Sequence, residues 1–242
     1  MGDSFLFSPN DIAALVFYLG VWVFFALAAD GRLFRRISLT SAMNVQREAW
    51  MRTMAKRELR MIDTSIMIGL QQGTAFFASS SIFAIGGCFA LLGASNHVLA
   101  VVSSLPYAAS PAQGLFETKI LGLIALLAYA FFKFGWSYRL FNYCSILIGA
   151  VPTTQEGIVA PHETEAAVMR AAKMNILAGK HFNAGLRGIF FSLAYLGWFV
   201  NAGVFAATTL ILLAVLVRRQ FFSNARAAVL VAVAPQAGPG NG

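Results

Sequence analysis

The chain has 242 residues, of which 58% are hydrophobic, 13% aromatic and only 12% charged, and its formal net charge is +8. Soluble domains carry about a quarter charged residues, so a soluble globule is excluded, as are disordered and collagen-like chains. Two cysteines exclude a disulfide-rich scaffold, and the long uncharged runs are the pattern of a multi-pass membrane protein.

The first run, Ile12 to Ala29, ends against Asp30, Arg32, Arg35 and Arg36. About 18 apolar residues suffice for one helical crossing, and Asn10 or Asp11 is expected to cap its start. Acids precede this run and arginines follow it, the reverse of a secretory signal. It therefore reads as a retained first span with its N-terminus outside. The next uncharged run, Thr64 to Phe116, is too long for one crossing. Its centre, Ser95 to Gly114, holds His97, Pro106 and Pro111, so span two is predicted over 64–92 and an external loop after it. Span three is predicted over 115–135, where Lys133, Trp136 and Arg139 resemble an interfacial belt. The apolar stretch 140–151 is read as this helix continuing below the membrane. Span four is predicted over 189–217, closed by Arg218 and Arg219, and residues 221–242 read as a flexible tail.

Positive charge tests orientation, because Lys and Arg accumulate on cytoplasmic segments. Residues 30–63 hold eight of the 18 Lys and Arg and residues 133–187 hold six, against Lys119, Arg218, Arg219 and Arg226 elsewhere. This favours both termini outside. Were 140–151 a re-entrant segment or an extra span, the C-terminus would move inside and three of those four exceptions would disappear.

The two positive segments carry helical patterns of their own. Met43, Trp50, Met54 and Met61 keep one face across 41–62, and Glu48 and Arg52 add an i,i+4 pair. With no proline before span two, one helix of about 50 residues is predicted to run from cytoplasm through membrane. Segment 163–187 places Arg170, Lys173, Lys180 and Arg187 in a stripe and is expected to run straight into span four. Pro161, Glu163 and Glu165 suit its start. Together with 136–151, these segments predict a bundle protruding below the bilayer. The competing reading lays both amphipathic stretches flat on anionic lipid.

Four stretches carry a resemblance. Trp50-Met51-Arg52, Phe77-Ala78-Ser79-Ser80, the run from Lys133 to Tyr143 and the run from His181 to Gly188 resemble the Domain of Unknown Function 599 family of bacterial and plant membrane proteins. The likeness covers roughly Leu15 to Val217. It implies a multi-pass membrane protein and carries no activity with it.

The polar exceptions supply the candidate sites. Gln71, Gln72, Ser79, Ser80 and Ser81 in span two are costly in lipid unless they face other helices or water, and Asn201 is a partner for them in span four. They read either as a polar pathway or as packing glue beside the small-residue seam Ser65, Gly69 and Gly73. Lys133, Trp136 and Arg139, with Lys180, His181, Asn183 and Arg187, sit at the cytoplasmic ends of spans three and four. Together they predict a basic, aromatic-rimmed pocket for an anionic metabolite or lipid headgroup, with Asp63 and Glu58 as acidic neighbours. The alternative is a set of interfacial anchors and ion pairs.

No metal site is expected, since His97, His162 and His181 fall at different depths and His162 with Glu163 and Glu165 suits a helix start. Cys88 and Cys144 lie in opposite halves and have no neighbouring base. Gly179-Lys180 looks like the end of a phosphate loop but lacks the upstream glycine, and no catalytic signature is present. Cofactors and nucleic acid are not expected, the high pI being accounted for by inner-loop charge.

The sequence therefore predicts an all-α, four-helix integral inner-membrane bundle, residues 1–220, with long cytoplasmic helical extensions. Its expected role is a non-enzymatic module that binds or helps move a small or lipid-like anion. The alternative role is an accessory subunit joined to a homo-oligomer or another membrane protein.

Overall fold

A computed structural model describes residues 7–29, 31, 36–103, 113–152 and 161–231. Among these residues there are helices and no strand: α1 Pro9–Ala29, α2 Leu39–Ala55, α3 Met61–Gly93, α4 Ser95–Ser103, α5 Gln113–Gly149, α6 Pro161–Tyr195, α7 Ala202–Phe221 and α8 Asn224–Val231. The expectations for Asp30, Arg32 and Arg35, for Pro106 and Pro111, and for the tail beyond 231 lie outside the described residues. Helices α1, α3, α5 and α7 are long and apolar enough to cross a membrane, so the protein is an all-α membrane bundle.

Local chemistry sets the helix starts. Pro9 opens α1, and Ser8 rather than Asn10 or Asp11 is its cap, accepting from the Asp11 backbone N–H at 3.2 Å while Asp11 Oδ2 accepts from the Ser8 hydroxyl at 2.7 Å. This reciprocal pair satisfies the orphan donors of the first turn. Ser38 caps α2 by accepting from Ser41 N and donates its own hydroxyl to the Ala29 carbonyl. The start of α2 is thereby tied to the end of α1.

The predicted continuous helix from 41 into span two is replaced by a hairpin. Along α2, Arg47 meets Asn175 and Arg52 meets Glu165, so α2 runs antiparallel to α6. Arg60 before α3 meets Ile148, Gln71 within it meets Ser145 and Ser95 just beyond it meets Glu117, so α3 runs antiparallel to α5. Because α5 and α6 are themselves antiparallel, with Ser137 on Ala178 and Lys119 on Trp198, α2 leads away from the end of α1 and α3 returns. The reversal at 56–60 is held by polar contacts. Asp63 Oδ1, fully buried, accepts from Trp50 Nε1 at 2.7 Å and Arg57 Nη1 at 2.6 Å, and Arg60 donates to the carbonyls of Ile148, Val151 and Pro152, filling the acceptors that α5 leaves open. The buried face of α2 is accordingly Met51 and Met54, while Met43 and Met61 are exposed.

The apolar run 189–217 is likewise divided. Helix α6 ends at Tyr195 in a 3-10 turn, Leu196–Phe199, and Asn201 starts α7 by accepting from Val204 N at 2.8 Å. At Gly197 a Cβ would stand 2.5 Å from Thr208 Oγ1 and 3.2 Å from Phe205 Cα, so the glycine permits the close return of α7 beside α6. Thr208 Oγ1 donates back to the Ala194 carbonyl. Consequently Gln220 reaches Thr40, and Arg226 reaches the Ile37 carbonyl. Arg218, Arg219 and Arg226 therefore stand at the α2 end of the molecule, opposite to the side expected for them from a single fourth span.

Two cores stack along the bundle. One joins α1, α7 and the facing parts of α3, α5 and α6 around Tyr18, Phe191, Trp198 and Phe205, with Cys88 from α3. The other joins α2 and the remaining halves of α3, α5 and α6 around Met51, Met54, Phe141 and Cys144. Helices α5 and α6, with 37 and 35 residues, span about 56 and 52 Å and pass through both. Their close approach depends on small residues. A Cβ at Gly185 would stand 2.7 Å from the Phe134 ring, and one at Gly188 3.1 Å from Ala130 Cβ, while Ala171, Ala172 and Ala178 are fully buried.

Candidate functional site

The two predicted basic groups do not form one pocket. On α5, the Lys133 ammonium lies 5.3 Å from the Tyr129 ring, and the Arg139 guanidinium lies between the Trp136 and Tyr143 rings at 5.5 and 5.4 Å. Arg139 Nε also donates to the Tyr143 hydroxyl at 2.6 Å. Across the helix pair, the His181 ring meets Trp136 edge-on at 6.4 Å. Lys180 points outward. This group is an exposed basic and aromatic stripe, the composition of an interfacial anchor.

Asn183 and Arg187 face elsewhere. Residues 181 and 183 are about 200° apart around a helix, so the His181 side of α6 meets α5 while the Asn183 side meets α1, α2 and α7. There Asn183 and Arg187 line a cavity of about 410 Å³ with Arg47 and Asn44 of α2, Arg219 and Gln220 of α7, and the apolar side chains of Phe25, Phe190 and Leu216. The cavity thus contains three arginines, and no carboxylate among the described residues lines it. A concave site with a mixed polar and apolar wall and cationic side chains along it has the composition of a small-molecule site.

Arg47 is the best-defined of these side chains. Its Nη1 donates to the Asn175 carbonyl at 2.7 Å and to Asn175 Oδ1 at 3.0 Å. The fully buried Asn175 amide in turn approaches Met67 Sδ and Cys144 Sγ. To reach Asn175 the guanidinium crosses the α6 backbone at Gly179, where any Cβ would collide with Arg47 Nη1. Burial pulls the Arg47 guanidinium below its ordinary value, yet its ordinary value is so high that it stays charged. Gly179-Lys180 is therefore a crossing point for an arginine, not a phosphate loop. At the same junction the Gln220 amide donates to Thr40 Oγ1 at 2.7 Å, which leaves the Thr40 hydroxyl hydrogen available to the cavity.

The remaining candidates divide by environment. Gln71 Nε2 donates to Ser145 Oγ, whereas Gln72 and Ser79 are exposed. Ser80 and Ser81 return their hydroxyls to the carbonyls of Phe76 and Phe77 in their own helix, as does Ser65 to Met61. Asn201 caps α7 at the Trp198 end of the bundle and is remote from Gln71. No atom outside the helix's own backbone and chain neighbours comes within 4 Å of a Cβ placed at Gly69 or Gly73, so this seam is open in the single chain. Asp63 is engaged by Trp50 and Arg57, not by the basic stripe, and Glu58 lies in the α2–α3 connection. Among the described residues no three His, Cys, Asp or Glu side chains gather as a metal site would require.

Sequence reasoning missed Arg47, Asn44, Thr40, Arg219 and Gln220. Thr40, Asn44 and Arg47 follow i, i+4, i+7 spacing and share a helical face, a signal present in the sequence. Arg219 required knowing that α7 turns back.

A helical membrane bundle with a cavity lined by Arg47, Arg187 and Arg219 is the class these observations define. The chain belongs to the family described as Protein of unknown function, DUF599, whose model matches residues 13–225. No curated protein and no solved structure matches it.

Proposed function

We propose that the protein is a non-enzymatic inner-membrane module that binds, or helps to move, a small or lipid-like anion in the Arg47, Arg187 and Arg219 cavity. The carrying observation is that three guanidinium groups line one cavity with no described carboxylate beside them. Guanidinium forks recognise oxyanions by paired, charge-assisted hydrogen bonds.

In this reading the upper half of α6 is a fifth crossing beside α1, α3, α5 and α7, and both α2 and the C-terminal arginines face the cytoplasm. The charge count supports that arrangement, because Arg218, Arg219 and Arg226 then join the 14 other inner Lys and Arg and leave Lys119 alone outside. The test is thermal stability of the purified protein with added inorganic phosphate and anionic amphiphiles. Stabilisation that is lost in Arg219→Gln and kept in Arg218→Gln, which removes the same charge one residue away, supports the site. Equal behaviour of the two variants sinks it.

The second reading is an assembly subunit, favoured by the open Ser65, Gly69 and Gly73 seam. Small residues let membrane helices approach closely, so Gly73→Leu should scatter an oligomer if this seam is its interface. An unchanged mass by size exclusion with light scattering sets that reading aside.

A further inference from the structure

We infer that the groove between α1 and α5 is a second binding site, separate from the arginine cavity, for a lipophilic ligand that presents a ring carbonyl to the Tyr195 hydroxyl, the chemistry of a membrane quinone. Helix α1 packs on α6 and α7 through Tyr18, which meets the Phe191 and Phe205 rings at 5.5 and 4.9 Å, and a cavity of about 360 Å³ opens between α1 and α5. Two aromatic pairs bound it along the bundle axis. Toward the Trp198 end Phe7 stacks on Trp198 at 5.6 Å, and toward the other end Trp22 meets Tyr129 edge-on at 5.5 Å. Leu19 and Leu121 line it and are exposed apolar residues on helices apolar enough to cross a membrane, so its opening faces hydrocarbon.

Tyr195 lines the same cavity and is only 4% exposed. Its hydroxyl lies over Gly122, where any Cβ would collide with it, and has no hydrogen-bond partner among the described residues. The other polar groups of the wall are engaged. The Tyr18 hydroxyl donates to the Phe191 carbonyl, Trp198 Nε1 to Asp11 Oδ1 and the Thr118 hydroxyl to the Gly114 carbonyl. A buried donor without an acceptor is costly, so an occupant that brings an acceptor is favoured over one that does not. Acyl methylenes bring none, and a buried water needs several polar partners where the wall offers one free hydroxyl. Depth disfavours a phospholipid ester, whose carbonyls stay at the headgroup boundary. Tyr18 and Gly122 lie about 8–10 Å further along their helices than Asp11 and Glu117, the charged residues of this end. A carbonyl on a flat ring reaches that depth, and Tyr195 stands edge-on to Trp198 and Tyr18 at 5.3 and 5.9 Å, giving the ring aromatic walls.

The test is isothermal titration of the full-length protein in uncharged detergent with three probes: decyl-benzoquinone, decylbenzene, which keeps ring and tail without oxygen, and dioctanoyl phosphatidylcholine, which brings ester carbonyls. One saturable site for the quinone is expected, with each of the other two weaker by about threefold or more. Tyr195→Phe should weaken the quinone roughly threefold to tenfold and leave the thermal midpoint unchanged, because the hydroxyl has no bond to lose. Leu121→Trp, which narrows the exposed rim and keeps the hydroxyl, should weaken it as well. Equal affinity for decylbenzene would overturn the carbonyl requirement, and equal affinity for the phospholipid would overturn the ring assignment. Quinone binding unchanged in Tyr195→Phe, or a lowered midpoint in that variant, would overturn the role of Tyr195. Absence of saturable quinone binding would overturn the site, and none of these results bears on the Arg219 cavity.

Discussion

Gly179→Ala should destabilise the protein in the native background and stabilise it once Arg47 is removed. The added methyl group would collide with the Arg47 guanidinium, which donates twice to Asn175. Hydrogen bonds involving a charged group contribute about 1.5–3 kcal/mol each, so displacing both costs about 3–6 kcal/mol before relaxation. Part returns as the guanidinium swings into the adjoining cavity, and helix propensity gives back about 1 kcal/mol on replacing glycine by alanine. The net expectation is a loss of about 1–3 kcal/mol. In an Arg47→Ala background the obstacle is gone and only the propensity gain remains, so the sign reverses. Thermal unfolding of the four proteins of this cycle in one detergent reads the effect, at about 2–4 °C per kcal/mol for a chain of this size. Destabilisation of the same size in both backgrounds would refute the reasoning, because the glycine would then be needed for something other than Arg47.

Gly185→Ala should lower stability by about 1–3 kcal/mol, since the enclosed Phe134 ring stacks on Phe77 and cannot withdraw freely; Gly69→Ala, where nothing stands nearby, should be neutral or stabilising by up to about 1 kcal/mol in the same melt. Asn201→Ala should cost about 1 kcal/mol through the lost cap of α7, and Asn201→Ser should restore most of it. Asp63→Ala should cost about 1–3 kcal/mol, because it leaves the Trp50 indole N–H without its acceptor while the half-exposed Arg57 can turn to water; no measurable effect by thermal unfolding would refute the role of Asp63 in the reversal. Single cysteines at Val45 and Ala225 should react with a membrane-impermeant thiol reagent from one side and a cysteine at Val200 from the other; labelling of Val200 and Ala225 from the same side would refute the returning α7.

Membrane character and helix positions were legible because charge-free runs and helical periodicity are local properties. The long α5 was equally plain, since nothing between Gln113 and Gly149 interrupts the pattern. What escaped were two reversals. The α2–α3 hairpin has no proline or glycine at its bend, and its stability comes from Asp63, Trp50, Arg57 and Arg60 meeting residues up to 92 positions away. The α6–α7 turn is marked in the sequence only by Gly197 and Asn201 inside a run of uniform hydropathy. Both reversals decide which arginines meet. Hence the sequence singles out Arg187 and Asn183 but gives no sign that Arg47 and Arg219 stand beside them.

Native mass spectrometry of the gently purified protein tests the central claim most directly. The account predicts one reproducible anionic adduct per chain, retained by Arg218→Gln and depleted in Arg219→Gln, with a fragment mass that identifies it. A chain that carries no adduct, or one that both variants retain equally, would contradict the assignment of the arginine cavity as the site.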